Sequence, residues 1–325
     1  MKTWRKRMAI ACGAAAALAA LSAPLGAQET GFPHKGPIEI TVLFPAGSSA
    51  DITARMLAAG MAKELGAQVL VVDRPGAGGA IGYRYVAAQK PDGYALVWNS
   101  NSISTTYYSG QGSVDYHAFD PVARVLVESP VLAVRSDSKW HTLGDLILEA
   151  KAWPSRISVG NSGAGSHTHI SSVALFRAAG AEVLDVPFPA AQTVPSLLGG
   201  HVDALLQLPA ALSNYVANGQ VRLLAALASS RDPALPGVPT AKEQGVDVAL
   251  EAWRGIAVPS GTPKEVIAKL EGAIRNTAES RDFAQASAKL GVTPAFMPAG
   301  QFAALIAKDD ATLARLMQLI GLKKK

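Results

Sequence analysis

The chain has 325 residues, with 30 Lys plus Arg against 25 Asp plus Glu and a formal net charge of +5. Four of the cations, Lys2, Arg5, Lys6 and Arg7, precede an apolar run from Met8 to about Leu21, so 26 basic residues face 25 acidic ones in the remainder. A chain so nearly balanced lacks the basic footprint that nucleic-acid binding requires, and no nucleic-acid partner is expected.

The N-terminus has the order of a secretory leader: a positive start, a short apolar core, and small residues up to Leu25-Gly26-Ala27, just before Gln28. Gly13 interrupts the run, which falls short of the ~20 apolar residues of a membrane span. A cleavable signal peptide over residues 1–27 is expected. The single cysteine, Cys12, lies inside it, so a core and not a disulfide must hold the exported fold. Hydrophobic residues make up 49% and charged residues 17% of the chain. With ~298 residues left after the leader, two domains of about 150 residues are expected.

Beyond the leader, strand and helix patterns alternate. Residues 38–44 form an apolar strand pattern, and 50–65 a helix with Ile52, Met56, Leu57, Met61 and Leu65 near helical spacing. A strand at 68–72, a helix at 81–88, the Pro91-Asp92-Gly93 turn and a strand at 94–98 follow. Strands are expected at 122–127, 131–134, 157–160, 183–186, 204–207 and 256–259, with a short apolar stretch at 223–228. Helices are expected at 143–150, 167–179, 193–199, 264–279, 281–290 and 299–320. This alternation predicts an α/β fold built of parallel βαβ units.

Two strand-to-helix junctions consist of small residues: Phe44-Pro45-Ala46-Gly47-Ser48-Ser49-Ala50-Asp51, and Val159-Gly160-Asn161-Ser162-Gly163-Ala164-Gly165-Ser166-His167. A helix start leaves backbone N–H groups without internal partners and carries partial positive charge. Each junction can therefore bind an anion without Lys or Arg, with Ser48, Ser49, Ser162 and Ser166 as added hydroxyl donors. Capping explains either loop alone. The pair, in an exported two-domain chain, points to a carboxylate site. Asp51 and Asp203 are candidate ligand contacts or loop organisers, and His167 lies within reach of a ligand at its helix start.

Other chemistries fit less well. Arg74-Pro75-Gly76-Ala77-Gly78-Gly79-Ala80-Ile81-Gly82 follows a strand and opens a helix, but Ile81 stands where a dinucleotide fingerprint needs its third Gly. A structural turn is expected there, and no cofactor. His167 and His169, two apart on a helix, diverge, so no metal site is expected. No G-x-S-x-G elbow surrounds Ser166. An exported hydrolase using Ser166 and a histidine remains a minor alternative.

An ordered set of short motifs carries a family resemblance over nearly the whole exported chain. It includes Phe44-Pro45-Ala46-Gly47 with Asp51 and Arg55, Asp73-Arg74-Pro75-Gly76-Ala77-Gly78-Gly79, and Pro91-Asp92-Gly93-Tyr94. Gly163-Ala164-Gly165-Ser166, Gly199-Gly200-His201-Val202-Asp203 and Trp253-Arg254-Gly255 with Pro259-Ser260-Gly261-Thr262-Pro263 continue the order. The chain resembles the Bug family, the periplasmic solute-binding proteins of tripartite tricarboxylate transporters.

The resemblance implies a two-lobed periplasmic binding protein of type II. Each lobe would be a mostly parallel sheet flanked by helices, joined by two crossover segments. Lobe one would comprise residues 28–127 and 252–325, and lobe two residues 128–251. It implies ligand contacts at Pro45, Ala46, Gly47, Ser48 and Ser49, and at Gly163, Ala164, Gly165 and Ser166. Ser100 and Asn101, after Trp98, are carried over with less weight. Two departures stand out. Ala46 replaces the usual second-position Gly, and Pro189-Ala190-Ala191 replaces a Lys-Gly-Ser type loop near the ligand's distal end, so Ala190 implies a smaller or more apolar pocket there. The implied protein is no enzyme. As a monomer it captures a small organic carboxylate (mono-, di- or tricarboxylate, aromatic and amino acids included) for membrane transporter subunits. A periplasmic sensor serving a membrane receptor kinase is the alternative.

Overall fold

The computed structural model describes residues 31–324; the expected leader and Cys12 lie outside them. The chain folds around two sheets. The first has strand order β11-β4-β10-β3-β1-β2, with β1 Ile38–Val42, β2 Val69–Asp73, β3 Ala95–Ser100, β4 Phe119–Glu128, β10 Ala252–Pro259 and β11 Thr293–Pro298. The second has order β7-β6-β8-β5-β9, with β5 Val131–Arg135, β6 Ser158–Asn161, β7 Leu184–Pro187, β8 Ala204–Gln207 and β9 Val221–Ala226.

The helices are α1 Ser49–Leu65, α2 Ala80–Ala87, α3 Ser102–Tyr108, α4 Leu143–Ala152, α5 His167–Ala179 and α6 Thr193–Leu198, then α7 Pro209–Ala217, α8 Lys264–Ala278, α9 Arg281–Leu290 and α10 Ala299–Leu319. Their ends follow from local chemistry. Ser48, Ser166 and Ser280 cap α1, α5 and α9 by accepting a backbone N–H, and Thr142 with Asp145 forms a capping box on α4. Gly66, Gly180 and Gly291 end α1, α5 and α9 in the left-handed conformation. Among the described residues no helix is long and apolar enough to cross a membrane.

Each sheet has its own core. Ile38, Ile40, Trp98, Leu126 and Ile256 of the first sheet bury against Leu57 and Met61 of α1 and Leu270 and Ile274 of α8. Leu132, Val134, Val159 and Leu206 of the second bury against Leu143, Leu146, Leu175 and Phe176. One helix crosses this division: α7 packs against α1 and α9, and its Ala210 joins the core of the first sheet.

The sheets are mixed, not mostly parallel. The pairs β1–β2, β1–β3, β6–β7 and β6–β8 are parallel, as the βαβ reading expects. The pairs β10–β3, β10–β4, β11–β4, β5–β8 and β5–β9 are antiparallel. The reason is connectivity. The chain leaves the first sheet along β4 and returns along β10, so these neighbours run in opposite directions.

Three elements were not legible in the sequence. Helix α3 is Ser-, Thr- and Tyr-rich and has no apolar stripe, helix α7 starts on a proline, and β11 carries prolines at both ends of an edge position.

Candidate functional site

The loops that matter lie at the carboxyl ends of strands, the usual ligand position in α/β sheets. Strand β1 leads into residues 43–48 and α1, and β6 leads into residues 162–166 and α5. The starts of α1 and α5 meet in one cavity between the two sheets. Its empty volume is about 430 Å³, part of it open to solvent. Ser48, Ser49 and Ala50 line it from one side, and Ser162, Ser166, His167 and Thr168 from the other; Ser100, Asn101, Gln207 and Arg254 close it.

The hydrogen bonds show which donors are free. Ser48 Oγ accepts the Asp51 N–H at 3.3 Å, and Ser166 Oγ accepts the His169 N–H at 3.2 Å. Among the described residues no hydrogen bond engages the N–H groups of Ser49, Ala50, His167 or Thr168. These are the first-turn amides that a helix cannot satisfy itself. The Ser49 hydroxyl is occupied: it donates to Glu128 Oε1. The Ser162 hydroxyl accepts from Gln207 Nε2 at 2.9 Å, so its proton stays available, as does that of Ser48.

Arg254 is the cation of the site. It sits on β10, almost fully buried, and its Nε donates to Glu128 Oε2 at 2.7 Å. Of its guanidinium nitrogens only Nε makes a hydrogen bond among the described residues, which leaves Nη1 and Nη2 to the cavity. The motif Trp253-Arg254-Gly255 placed Arg254 in the family pattern, yet the sequence reading gave it no role. The signal was a charged residue inside an otherwise apolar strand, AWRGIAVP.

His167 is buried beside Arg254. Burial, with the nearby guanidinium, lowers its pKa from 6.5 to about 4, so it is a neutral imidazole at neutral pH. Its Nδ1 lies 3.4 Å from Ser171 Oγ, while His169 Nδ1 accepts the Gly165 N–H at 3.0 Å. The two rings thus diverge. Ser166 Oγ faces Thr168 Oγ1 at 3.1 Å and the His169 backbone, not an imidazole. Among the described residues no side-chain base is hydrogen-bonded to it.

The expected site residues divide into three groups. Ser48, Ser49, Ser100, Asn101, Ser166, His167 and Ala190 line the polar cavity. Pro45, Gly163 and Ala164, with Ala190 again, line an adjoining cavity. Ala46, Gly47, Asp51, Gly165 and Asp203 line neither.

The residues of the third group have structural partners. Asp51 Oδ2 accepts the Gly47 N–H at 2.9 Å and Oδ1 pairs with Arg55, so Asp51 shapes the first loop from behind. Asp203 lies just before β8, at the end away from the cavity, where Oδ2 accepts the Ser158 N–H at 2.8 Å and its hydroxyl at 2.7 Å. About 13 Å of strand separates it from Gln207. Asp203 was expected as a ligand contact or loop organiser, and the strand direction carries it to the end away from the cavity, where it organises Ser158 at the start of β6. Asn101 reaches further than expected: its Oδ1 accepts the Trp253 N–H at 2.9 Å and its Nδ2 donates to Asp309 on α10 at 2.6 Å.

Comparison with known proteins identifies the family. The profile of TctC, described as the tripartite tricarboxylate transporter family receptor, matches residues 53–322. BugT of Bordetella pertussis is similar at 31% identity over 98% of this chain and 99% of its own. R. palustris Rpa4515, solved with adipate, shares 25% identity at a TM-score of 0.85, covering 89% of this chain and 98% of that one. MatC (Rpa3494) of Rhodopseudomonas palustris, solved with bound malate, shares 26% identity at a TM-score of 0.79, covering 88% of this chain and 99% of that one. The chain belongs to the TctC family of tripartite tricarboxylate transporter receptors.

Proposed function

We propose that this protein captures a small organic carboxylate between two α/β lobes and delivers it to the membrane subunits of a tripartite transporter. The observation that carries the reading is one cavity into which two opposed helix starts and the Nη groups of Arg254 all direct donors. The carboxylate is held by the N–H groups of Ser49 and Ala50 on one side and of His167 and Thr168 on the other. Ser48, Ser162 and Arg254 supply further donors. Each hydrogen bond to a charged group contributes roughly 1.5–3 kcal/mol, and micromolar affinity needs about 8 kcal/mol net, so four to six such bonds suffice after association costs. The malate of MatC and the adipate of R. palustris Rpa4515 give the same chemical class.

In this reading residues 28–127 and 252–325 form lobe one and residues 128–251 form lobe two. Closure is a hinge at the two crossovers, which presents a closed surface to the transporter. Residues 1–27 direct export to the periplasm and are removed. The role is capture, with no bond made or broken.

The test is thermal unfolding of residues 28–325, unfolded and refolded to remove host ligand, against a panel of mono-, di- and tricarboxylates. A ligand at ~100 times its dissociation constant stabilises the fold by about 2.7 kcal/mol, and a rise confined to related acids is expected. No saturable response to any acid from correctly refolded protein would overturn the reading.

A further inference from the structure

Resting on that reading, we propose that the ligand carries its charge at one end only: a monocarboxylate whose remainder is an uncharged aryl or long alkyl body. The polar cavity does not stand alone. It shares Phe44, Ser162 and Ala190 with a second, larger cavity of about 1290 Å³ empty volume, part of it open to solvent. The second cavity runs between the glycine-rich loop of residues 75–79 and the loop of residues 187–192.

The two linings differ in charge. The polar cavity presents hydroxyls, amides, His167 and Arg254 beside apolar Phe44, Leu208 and alanines. The second is walled by Leu, Phe, Pro, Ala and Gly, with Gln111, Ser162 and Gln192 as its polar side chains and no Asp, Glu, Lys, Arg or His. Phe44 and Phe188 supply aromatic surface at the junction and the far wall. Gln111 Nε2 donates to the Ala164 carbonyl at 2.6 Å, so the chamber is bridged from the first-sheet side to the second.

These facts fix the ligand's polarity along its length. A carboxylate at the helix starts meets N–H donors and the guanidinium. A second carboxylate projecting into the chamber would lose part of its hydration and meet no charged side chain in exchange, which is unfavourable for an ionised group. An apolar body entering the same chamber gains by leaving water. Pro189, Ala190 and Ala191 point the same way, because they line the chamber wall and bring no charge to it.

Hexanoate and adipate make the decisive comparison, since they share a six-carbon chain and differ by one terminal carboxylate. Titration calorimetry on the refolded exported chain, with malate, citrate and 3-phenylpropionate alongside, is expected to show hexanoate and 3-phenylpropionate bound at least about tenfold more tightly than adipate. A lysine placed on the chamber wall by Ala191→Lys, at an exposed position the fold tolerates, is expected to raise adipate affinity relative to hexanoate by a similar factor. Tighter binding of adipate, malate or citrate than of hexanoate by the unaltered protein overturns the inference and leaves the carboxylate-binding reading standing. Binding of no acid at all by protein with native circular dichroism overturns both.

Discussion

Arg254 and Glu128 pair across the two strands by which the chain passes between its sheets. Glu128 ends β4, Arg254 is near the start of β10, and Ala252 lies in register with Glu128. The same carboxylate accepts from Ser49 at the start of α1. The pair therefore ties together the crossover, the first helix start and the cavity's one guanidinium.

Truncating Arg254 should remove ligand affinity and strand a buried carboxylate. Breaking a buried pair by removing one partner typically costs about 3–5 kcal/mol. R254M is expected to show both losses in urea unfolding and calorimetry. The double variant R254M/E128Q should recover most of the stability, because no unpaired charge remains, yet still fail to bind. Recovery of binding in the double variant would show that Arg254 acts only through the fold.

His167 makes stability depend on pH in one direction. Its folded pKa, lowered to about 4 by burial and Arg254, lies below the 6.5 of the unfolded chain. Between these values the unfolded state holds more protons, so stability rises with pH across that window and is level above it. The full contribution is at most about 3 kcal/mol. The slope should shrink in H167Q relative to the parent when urea midpoints are compared from pH 4 to 7. Equal slopes would mean that other groups govern the acid limb.

The two aspartates expected near the ligand should separate cleanly. D203A removes two hydrogen bonds to Ser158 and is expected to cost about 1–2 kcal/mol of stability with ligand affinity unchanged. D51A frees the Gly47 N–H and leaves Arg55 only Asp73, and should weaken binding severalfold, since it loosens the loop that leads into the Ser49 and Ala50 amides. Calorimetry and urea titration on the two variants decide the matter; a lost affinity in D203A would place it at the site after all.

Gly255 is where the strand bearing Arg254 passes closest to its neighbours. A Cβ there would stand 2.4 Å from the Ala123 carbonyl oxygen and 2.6 Å from the Phe302 ring. G255A is expected to cost about 1–3 kcal/mol by overpacking, and to reduce affinity by displacing Arg254. A melting temperature within a degree of the parent would contradict this.

The alternation of elements and the two small-residue helix starts that line one cavity were legible because both are local. Strand patterns, caps and small-residue junctions declare themselves within about ten residues. Arg254 was not, because what turns it to the cavity is a side-chain ion pair with Glu128 on the neighbouring strand, over a hundred positions away in sequence. Ser49 was legible as a cavity residue but not as a donor already engaged by that same carboxylate. Asp203 misled for the complementary reason: its residue type fits a ligand contact, and only strand direction shows that it faces away. Helix α3 was invisible because Ser102 to Tyr108 carries no apolar stripe; Thr105 and Thr106 are buried and bond back to Ser102 in its first turn.

The segment that forms the second sheet begins and ends side by side. Val131 and Ala226 are register partners on β5 and β9, and Glu128 and Ala252, the residues that leave and re-enter the first sheet, are partners on β4 and β10. The joint is thus a strand pair on each flank, linked directly through Ser129 and Pro130 on the way out and through residues 227–251 on the way back. Such a seam makes the inner segment a cassette: one relative's version can be spliced into another's frame at the β4–β10 pair, and the cavity wall of Ser162, Ser166, His167 and Gln207 travels with it. New specificities can arise by swapping a half-pocket whole, without altering both walls residue by residue.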